Sequence, residues 1–159
     1  MSLKVAIGSD HGGYGLKENV MEYLKNKGIE YKDFGCYSCS SVDYPDIALP
    51  VADAITSGEF DRGILICGTG IGISIAANKV PGIRAALCSD TFSARMCRMH
   101  NDANILAMGG RVVGPGLALD IVDEFLKGEF EGGRHIKRVE KITEIEEKFQ
   151  KGRGESLNE

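Results

Sequence analysis

The chain has 159 residues, 43% of them apolar, which is enough for one substantial core and a single domain. Its net charge of −4 is spread over interspersed signs, so it lacks the basic stripe with which a nucleic-acid binder neutralises phosphates. The apolar run around Val5-Ala6-Ile7 is too short for a signal sequence, and longer apolar stretches are broken well before the roughly 20 residues of a membrane span, so a cytoplasmic protein with no membrane partner is expected.

Lys4-Val5-Ala6-Ile7 is expected to form the first strand. A helix over about 15–27 follows, with Leu16, Val20, Tyr23 and Leu24 on one face and Gly28 as its stop. Tyr31-Lys32-Asp33-Phe34 reads as a short strand, and Pro45 opens a second helix carrying Ile47, Val51 and Ile55. Gly63-Ile64-Leu65-Ile66-Cys67 is a continuous apolar run, as expected of a central strand buried on both faces of a parallel sheet. A helix over 73–78 follows it. Strands are expected over 84–88 and 104–108, separated by a helix over 91–100 that Asp90 or Thr91 is placed to cap. Further helices are expected over 117–127 and about 134–149. Residues 1–150 thus read as one domain and 151–159 as a frayed tail. Such βα alternation implies an α/β fold with a parallel sheet covered on both sides, and ligands in such folds sit beyond the carboxyl ends of the strands.

The most informative segment is Cys67-Gly68-Thr69-Gly70-Ile71-Gly72, between the buried strand and a helix start. Three glycines let backbone approach a ligand closely, and N–H groups at a helix start favour developing negative charge. The same position favours the thiolate form of a cysteine, although Cys67 is also compatible with a small core residue ending a strand. Neither this turn nor Gly8-Ser9-Asp10-His11-Gly12-Gly13 has the G-x-G-x-x-G spacing of a dinucleotide site, and no Walker A sequence occurs. Asp10 and His11 emerge on the same sheet edge as Cys67, where hydroxyl-binding and acid–base groups are needed, although Asp10 also suits a helix cap.

His100 lies at a helix end, where it complements the helix dipole, and His135 early in another helix. Arg134 and Arg138 share a helix face just after Gly132-Gly133, and Arg111 follows Gly109-Gly110; guanidinium forks of this kind suit a phosphate or simply form a solvated basic face. The five cysteines form an odd set without disulfide spacing, as expected of free thiols in a reducing compartment. Cys36-Tyr37-Ser38-Cys39 alone reads as C-x-x-C and lacks the second ligand pair of a zinc site.

Taken together, Gly8 to Gly13, Asp43-Tyr44-Pro45-Asp46, Cys67 to Gly72, His100-Asn101-Asp102-Ala103-Asn104, Gly109-Gly110-Arg111 and Gly133-Arg134-His135 with Arg138 closely resemble the type B ribose-5-phosphate isomerase family, which also includes galactose-6-phosphate isomerase subunits. The resemblance covers nearly the whole chain. It implies a Rossmann-like three-layer α/β sandwich with a five-stranded parallel sheet flanked by helices, an aldose–ketose isomerase of the non-oxidative pentose phosphate pathway, no metal and no cofactor. It also implies a homodimer or dimer of dimers with the active site at the subunit interface.

By that resemblance Cys67 is the base that moves a proton between C2 and C1. Thr69 and the backbone of Gly68, Gly70, Ile71 and Gly72 stabilise the enediolate. His100 and Asp10 open the sugar ring. His11, Arg134 and Arg138 hold the phosphate, Tyr44 lines the sugar pocket, and His100, Asn101 and Arg111 reach the partner subunit's site. Some members replace the cysteine by a glutamate in the following turn, but Ile71-Gly72-Ile73-Ser74-Ile75 contains no carboxylate, which indicates the cysteine variant. A six-carbon substrate such as allose 6-phosphate or galactose 6-phosphate stays open at this point. A non-catalytic sugar-phosphate sensor and a thiol redox protein using Cys36 and Cys39 are the readings from other classes.

Overall fold

The computed structural model describes residues 2–155, with side chains through Lys151. In chain order the elements are β1 (Lys4–Ser9), α1 (Tyr14–Asn26), β2 (Glu30–Asp33), α2 (Tyr44–Thr56), β3 (Arg62–Cys67) and α3 (Ile71–Ala77), then β4 (Ala85–Leu87), α4 (Thr91–Asn101), β5 (Ile105–Gly109), α5 (Pro115–Lys127) and α6 (Arg134–Glu155). The strands form one sheet in the order β2-β1-β3-β5-β4, and every pairing is parallel. Among the described residues, no helix is long and apolar enough to cross a membrane.

Period-two alternation divides the core into two layers around this sheet. Val5, Ile7, Ile64, Ile66, Leu106 and Met108 face Leu16, Val20 and Leu24 of α1, Ala94 of α4, and Ile121, Val122 and Phe125 of α5. Ala6, Leu65, Cys67, Ile105 and Ala107 face the other way, against Ile47, Val51 and Ile55 of α2 and Ile73 and Ala77 of α3. The result is the three-layer α/β sandwich expected from the sequence. Each fully buried Ile or Leu stabilises it by about 1.5–3 kcal/mol, and Ile64→Ala, at the sheet centre, would cost about 2–5 kcal/mol.

The observed elements depart from the sequence expectations mainly at their ends. α3 starts at Ile71, earlier than expected, because Gly70 turns the chain with φ 79°, a left-handed conformation open to glycine. Asp90 is the cap of α4: its Oδ1 accepts the Ser93 N–H at 2.7 Å. α6 runs on to Glu155, where the sequence suggested a frayed tail from Lys151; residues 156–159 of that tail lie outside the described residues.

A buried lysine, Lys17, was not evident from the sequence. It lies on the apolar face of α1 with no exposure, and Nζ donates to both carboxylate oxygens of Asp33 at 2.8 Å and to the Cys36 carbonyl. The pairing makes its burial tolerable. It ties α1 to the end of β2 and to the loop that leads to α2.

Candidate active site

The sheet order reverses between β1 and β3: β2 lies outside β1, while the later strands lie beyond β3. At such a switch point the two connections leave in opposite directions and open a crevice at the carboxyl ends of the strands. The crevice is bounded by the segments following Ser9 and Cys67. Asp10 is buried and its Oδ1 accepts the N–H groups of Gly12 and Gly13 at 2.8 and 3.1 Å, while its own N–H donates to the Ile66 carbonyl at 3.1 Å. This turn fixes the carboxylate beside the end of β3. His11 Nδ1 accepts the Val42 N–H at 3.3 Å, so the neutral imidazole carries its proton on Nε2 and can present it as a donor.

Cys67 is the last residue of β3 and only 4% exposed, and its Sγ accepts the Gly70 N–H at 3.1 Å. Thr69 is exposed and its Oγ1 accepts the Ile71 N–H at 3.2 Å, which closes the turn into α3. Within that first turn the Gly72 and Ile73 N–H groups make no hydrogen bond and can face an oxyanion. Tyr44 packs its ring on Gly72, where a Cβ would lie 2.7 Å from its ring carbon Cζ.

Three chain segments converge here at backbone distance. A Cβ on Gly110 would lie 2.7 Å from the Gly12 carbonyl oxygen, and the Gly110 N–H donates to the Cys67 carbonyl at 2.8 Å. Arg111 follows at once; its N–H donates to the Gly68 carbonyl at 3.0 Å, and its Nη1 lies 3.5 Å from where a Gly68 Cβ would sit. Asp10, His11, Tyr44, the Cys67–Gly72 turn and Arg111 thus share one crevice within a single chain. Arg111, which the resemblance assigns to the partner's site, thus contacts its own chain's turn.

His100, Asn101, Arg134 and Arg138 are elsewhere. α4 runs back along the sheet, and Asp102, Ala103 and Asn104 lead from its end directly into the first residue of β5. These residues therefore lie at the amino ends of the strands, while Cys67 lies at the carboxyl ends. The five residues of β5 alone separate the two levels by roughly 15 Å. Asp102 holds the end of α4 rigid: at φ 48° it closes the helix, and its carboxylate accepts Arg84 Nη2 at 3.0 Å and Arg98 Nη1 at 2.9 Å. Arg134, His135 and Arg138 approach from the start of α6. His135, early in α6, stacks on His100 with ring centroids 4.2 Å apart. Burial, followed by the neighbouring His100 and Arg134, pushes the His135 imidazole below its ordinary range.

A groove of about 630 Å³ lies apart from the crevice, between β4, α4 and α6, and is lined by Ile83, Ala85, Cys97, Ile142, Ile145 and Phe149. Cys36 is buried and Cys39 exposed, and all five cysteines are free thiols.

Residues 5–142 match the family model described as Ribose/Galactose Isomerase. The chain is 54% identical to the ribose-5-phosphate isomerase B of Escherichia coli over 145 residues, which is 91% of this chain and 97% of that one. The solved structure of Clostridium thermocellum ribose-5-phosphate isomerase B superimposes with a TM-score of 0.91 at 65% identity, covering 92% of this chain and 99% of the other. The Mycoplasma genitalium ribose-5-phosphate isomerase B structure with bound ribulose 5-phosphate superimposes with a TM-score of 0.87 at 45% identity, covering 92% and 98%. With the switch-point crevice, its cysteine turn and this full-length likeness in view, the chain belongs to the ribose/galactose isomerase family.

Proposed function

We propose that the protein interconverts ribose 5-phosphate and ribulose 5-phosphate through an enediolate, as the isomerase of the non-oxidative pentose phosphate pathway. The observation that carries this reading is the buried Cys67 sulfur, which accepts the Gly70 N–H at 3.1 Å inside a glycine turn at the sheet's switch point. That arrangement offers a base beside a row of backbone donors, which is what proton removal next to a carbonyl requires. The likeness to relatives of that name, one of them holding ribulose 5-phosphate, supports the five-carbon substrate.

The cyclic sugar first opens. One of Asp10 and His100 takes the proton of the anomeric hydroxyl and the other returns a proton to the ring oxygen. Asp10 suits this because Oδ1 is committed to the Gly12 and Gly13 N–H groups while Oδ2 is left for a hydroxyl. Cys67 thiolate then takes the C2 proton of the open aldose. Charge spreads onto the oxygen at C1, where Thr69 and the N–H groups of the Gly68–Gly72 turn stabilise it. The proton returns from sulfur to C1, and the hydroxyl proton at O2 passes to O1, so the ketose forms with no net gain or loss. Holding base and carbon in register removes much of the barrier. His11 donates through Nε2 to the phosphate, Tyr44 and Asn101 line the sugar, and Arg111, Arg134 and Arg138 supply guanidinium forks for the phosphate.

This assignment joins groups at opposite ends of one sheet, so it needs a second subunit. We infer a homodimer, alone or paired into a tetramer, in which a two-fold axis sets the α4–α6 corner of one chain over the Cys67 crevice of the other. Exposed apolar side chains support such a contact: Phe92, Ile136, Ile142, Ile145 and Phe149 are each between 46% and 66% exposed. Free thiols support a cytoplasmic location.

The test is turnover in deuterated water on four-, five- and six-carbon aldose phosphates. Wild type should convert ribose 5-phosphate and incorporate deuterium, and Cys67→Ala should lose about 10²–10⁴ of the rate. If wild type shows neither product nor exchange on any of them, the isomerase reading is wrong. Full activity in Cys67→Ala would remove the cysteine from the mechanism and leave the fold untouched.

A further inference from the structure

The corner where α4 ends and α6 begins brings together His100, Glu131 and His135, each offering one ligand atom, all within 4.8 Å of one another. Glu131 Oε2 lies 3.8 Å from His100 Nε2 and 3.5 Å from His135 Nε2. Backbone bonds hold the three in register: the Glu131 N–H donates to the Met99 carbonyl at 3.0 Å, next to His100, and the His135 N–H donates to the Gly132 carbonyl at 3.0 Å across the turn that separates it from Glu131. His135 is 5% exposed, fixed by burial and by its stack on His100, and its Nε2 faces the carboxylate. His100 and Glu131 are open to solvent on the other side, with side-chain exposures of 36% and 46%.

We propose that His100, Glu131 and His135 form a binding site for a divalent transition-metal ion of the zinc and cobalt class, and that occupying it inhibits the isomerase. Two imidazoles and a carboxylate are a nitrogen–oxygen donor set suited to such ions and poorly suited to magnesium or calcium. Zinc holds these donors at about 2.0–2.2 Å, which sets neighbouring ligand atoms about 3.3 Å apart in a tetrahedron. The two histidine–carboxylate spans of 3.5 and 3.8 Å are close to that, and the more exposed His100 ring swings out of its parallel stack on His135 so that both ring planes meet one ion. In the proposed dimer the fourth position faces the crevice of the other chain and takes water. Arg134 and Arg138 stand on the same helix as His135 and repel a cation, so binding is micromolar rather than nanomolar. The inhibitory part rests on the proposed role of His100 in ring opening: a metal that takes the Nε2 lone pair leaves no base there.

The experiment uses the full-length enzyme, freed of metal with a chelator and titrated with Co²⁺, then with Zn²⁺, while visible absorption and heat are recorded. One Co²⁺ per chain is expected, displaced by Zn²⁺, with weak visible bands and without the intense near-ultraviolet band of thiolate ligation. Glu131→Gln, at an exposed position that does not endanger folding, and His135→Gln should each weaken binding by about tenfold or more. Zinc should lower turnover of ribose 5-phosphate in step with occupancy, and His135→Gln should shift that inhibition to higher zinc by the same factor. The metal site is overturned by an absence of saturable binding up to about 1 mM, a thiolate band, or wild-type affinity in both variants. Saturation with undiminished turnover overturns the inhibitory part and counts against His100 in ring opening, not against the isomerase activity itself.

Discussion

At the scale of single residues, the side chains proposed for the site sit where backbone has already done the positioning. Asp10 is aimed by two N–H groups, His11 by one, and Cys67 by the N–H of Gly70. Tyr23 shows how a distant residue records its surroundings. Burial, then the hydrogen bond to Asp123 at 2.6 Å, pushes its phenol up to about 12 from 10.0. Between those values the folded chain keeps a proton that the unfolded chain releases. The stabilisation is therefore complete below pH 10 and is lost as the pH rises towards 12. Measured by denaturant unfolding, the stability difference between wild type and Tyr23→Phe should narrow steadily across that window; a constant difference would contradict the assignment.

At the scale of elements, Lys17 couples α1, β2 and the loop that carries Val42 and leads to Tyr44. Replacing it by methionine fills the space but leaves Asp33 as an unpaired, largely buried carboxylate. Lys17→Met should cost about 3–5 kcal/mol in urea unfolding, and a double change with Asp33→Asn should recover much of it. A loss below about 1 kcal/mol would mean that the pair contributes little. The same residue marks the limit of sequence reading. The strands, the order of helices and the Cys67 turn are legible because they are local: apolar runs, caps and glycine spacing act over a few residues. Lys17 lies one position from Leu16 and three from Val20, and only the placement of β2 reveals that a carboxylate waits for it. Likewise His100 and His135, 35 positions apart in the sequence, meet through the return path of α4 and the turn before α6, which no local pattern encodes.

At the scale of the whole molecule, the proposed site divides between chains, and a mixing experiment can read that division directly. Cys67→Ala and His100→Asn should each be nearly inactive alone. Unfolded together in equal amounts and refolded, half of the dimers pair unlike chains, and each of those holds one intact site and one carrying both changes. About a quarter of wild-type activity should return. If the mixture stays as inactive as its components, both residues act within one chain and the shared-site reading fails.

The convergence of Gly12, Gly110 and the Cys67 turn has a further bearing on how such an enzyme changes over evolutionary time. Main chain crosses main chain there with no room for a methyl group, so in the proposed mechanism the end of the substrate where bonds rearrange would be enclosed by atoms that substitution cannot easily alter. The far end would be enclosed by long side chains on exposed helix turns, Arg134 and Arg138 among them. Drift can therefore lengthen or shorten the sugar that is accepted while the reaction itself is inherited intact.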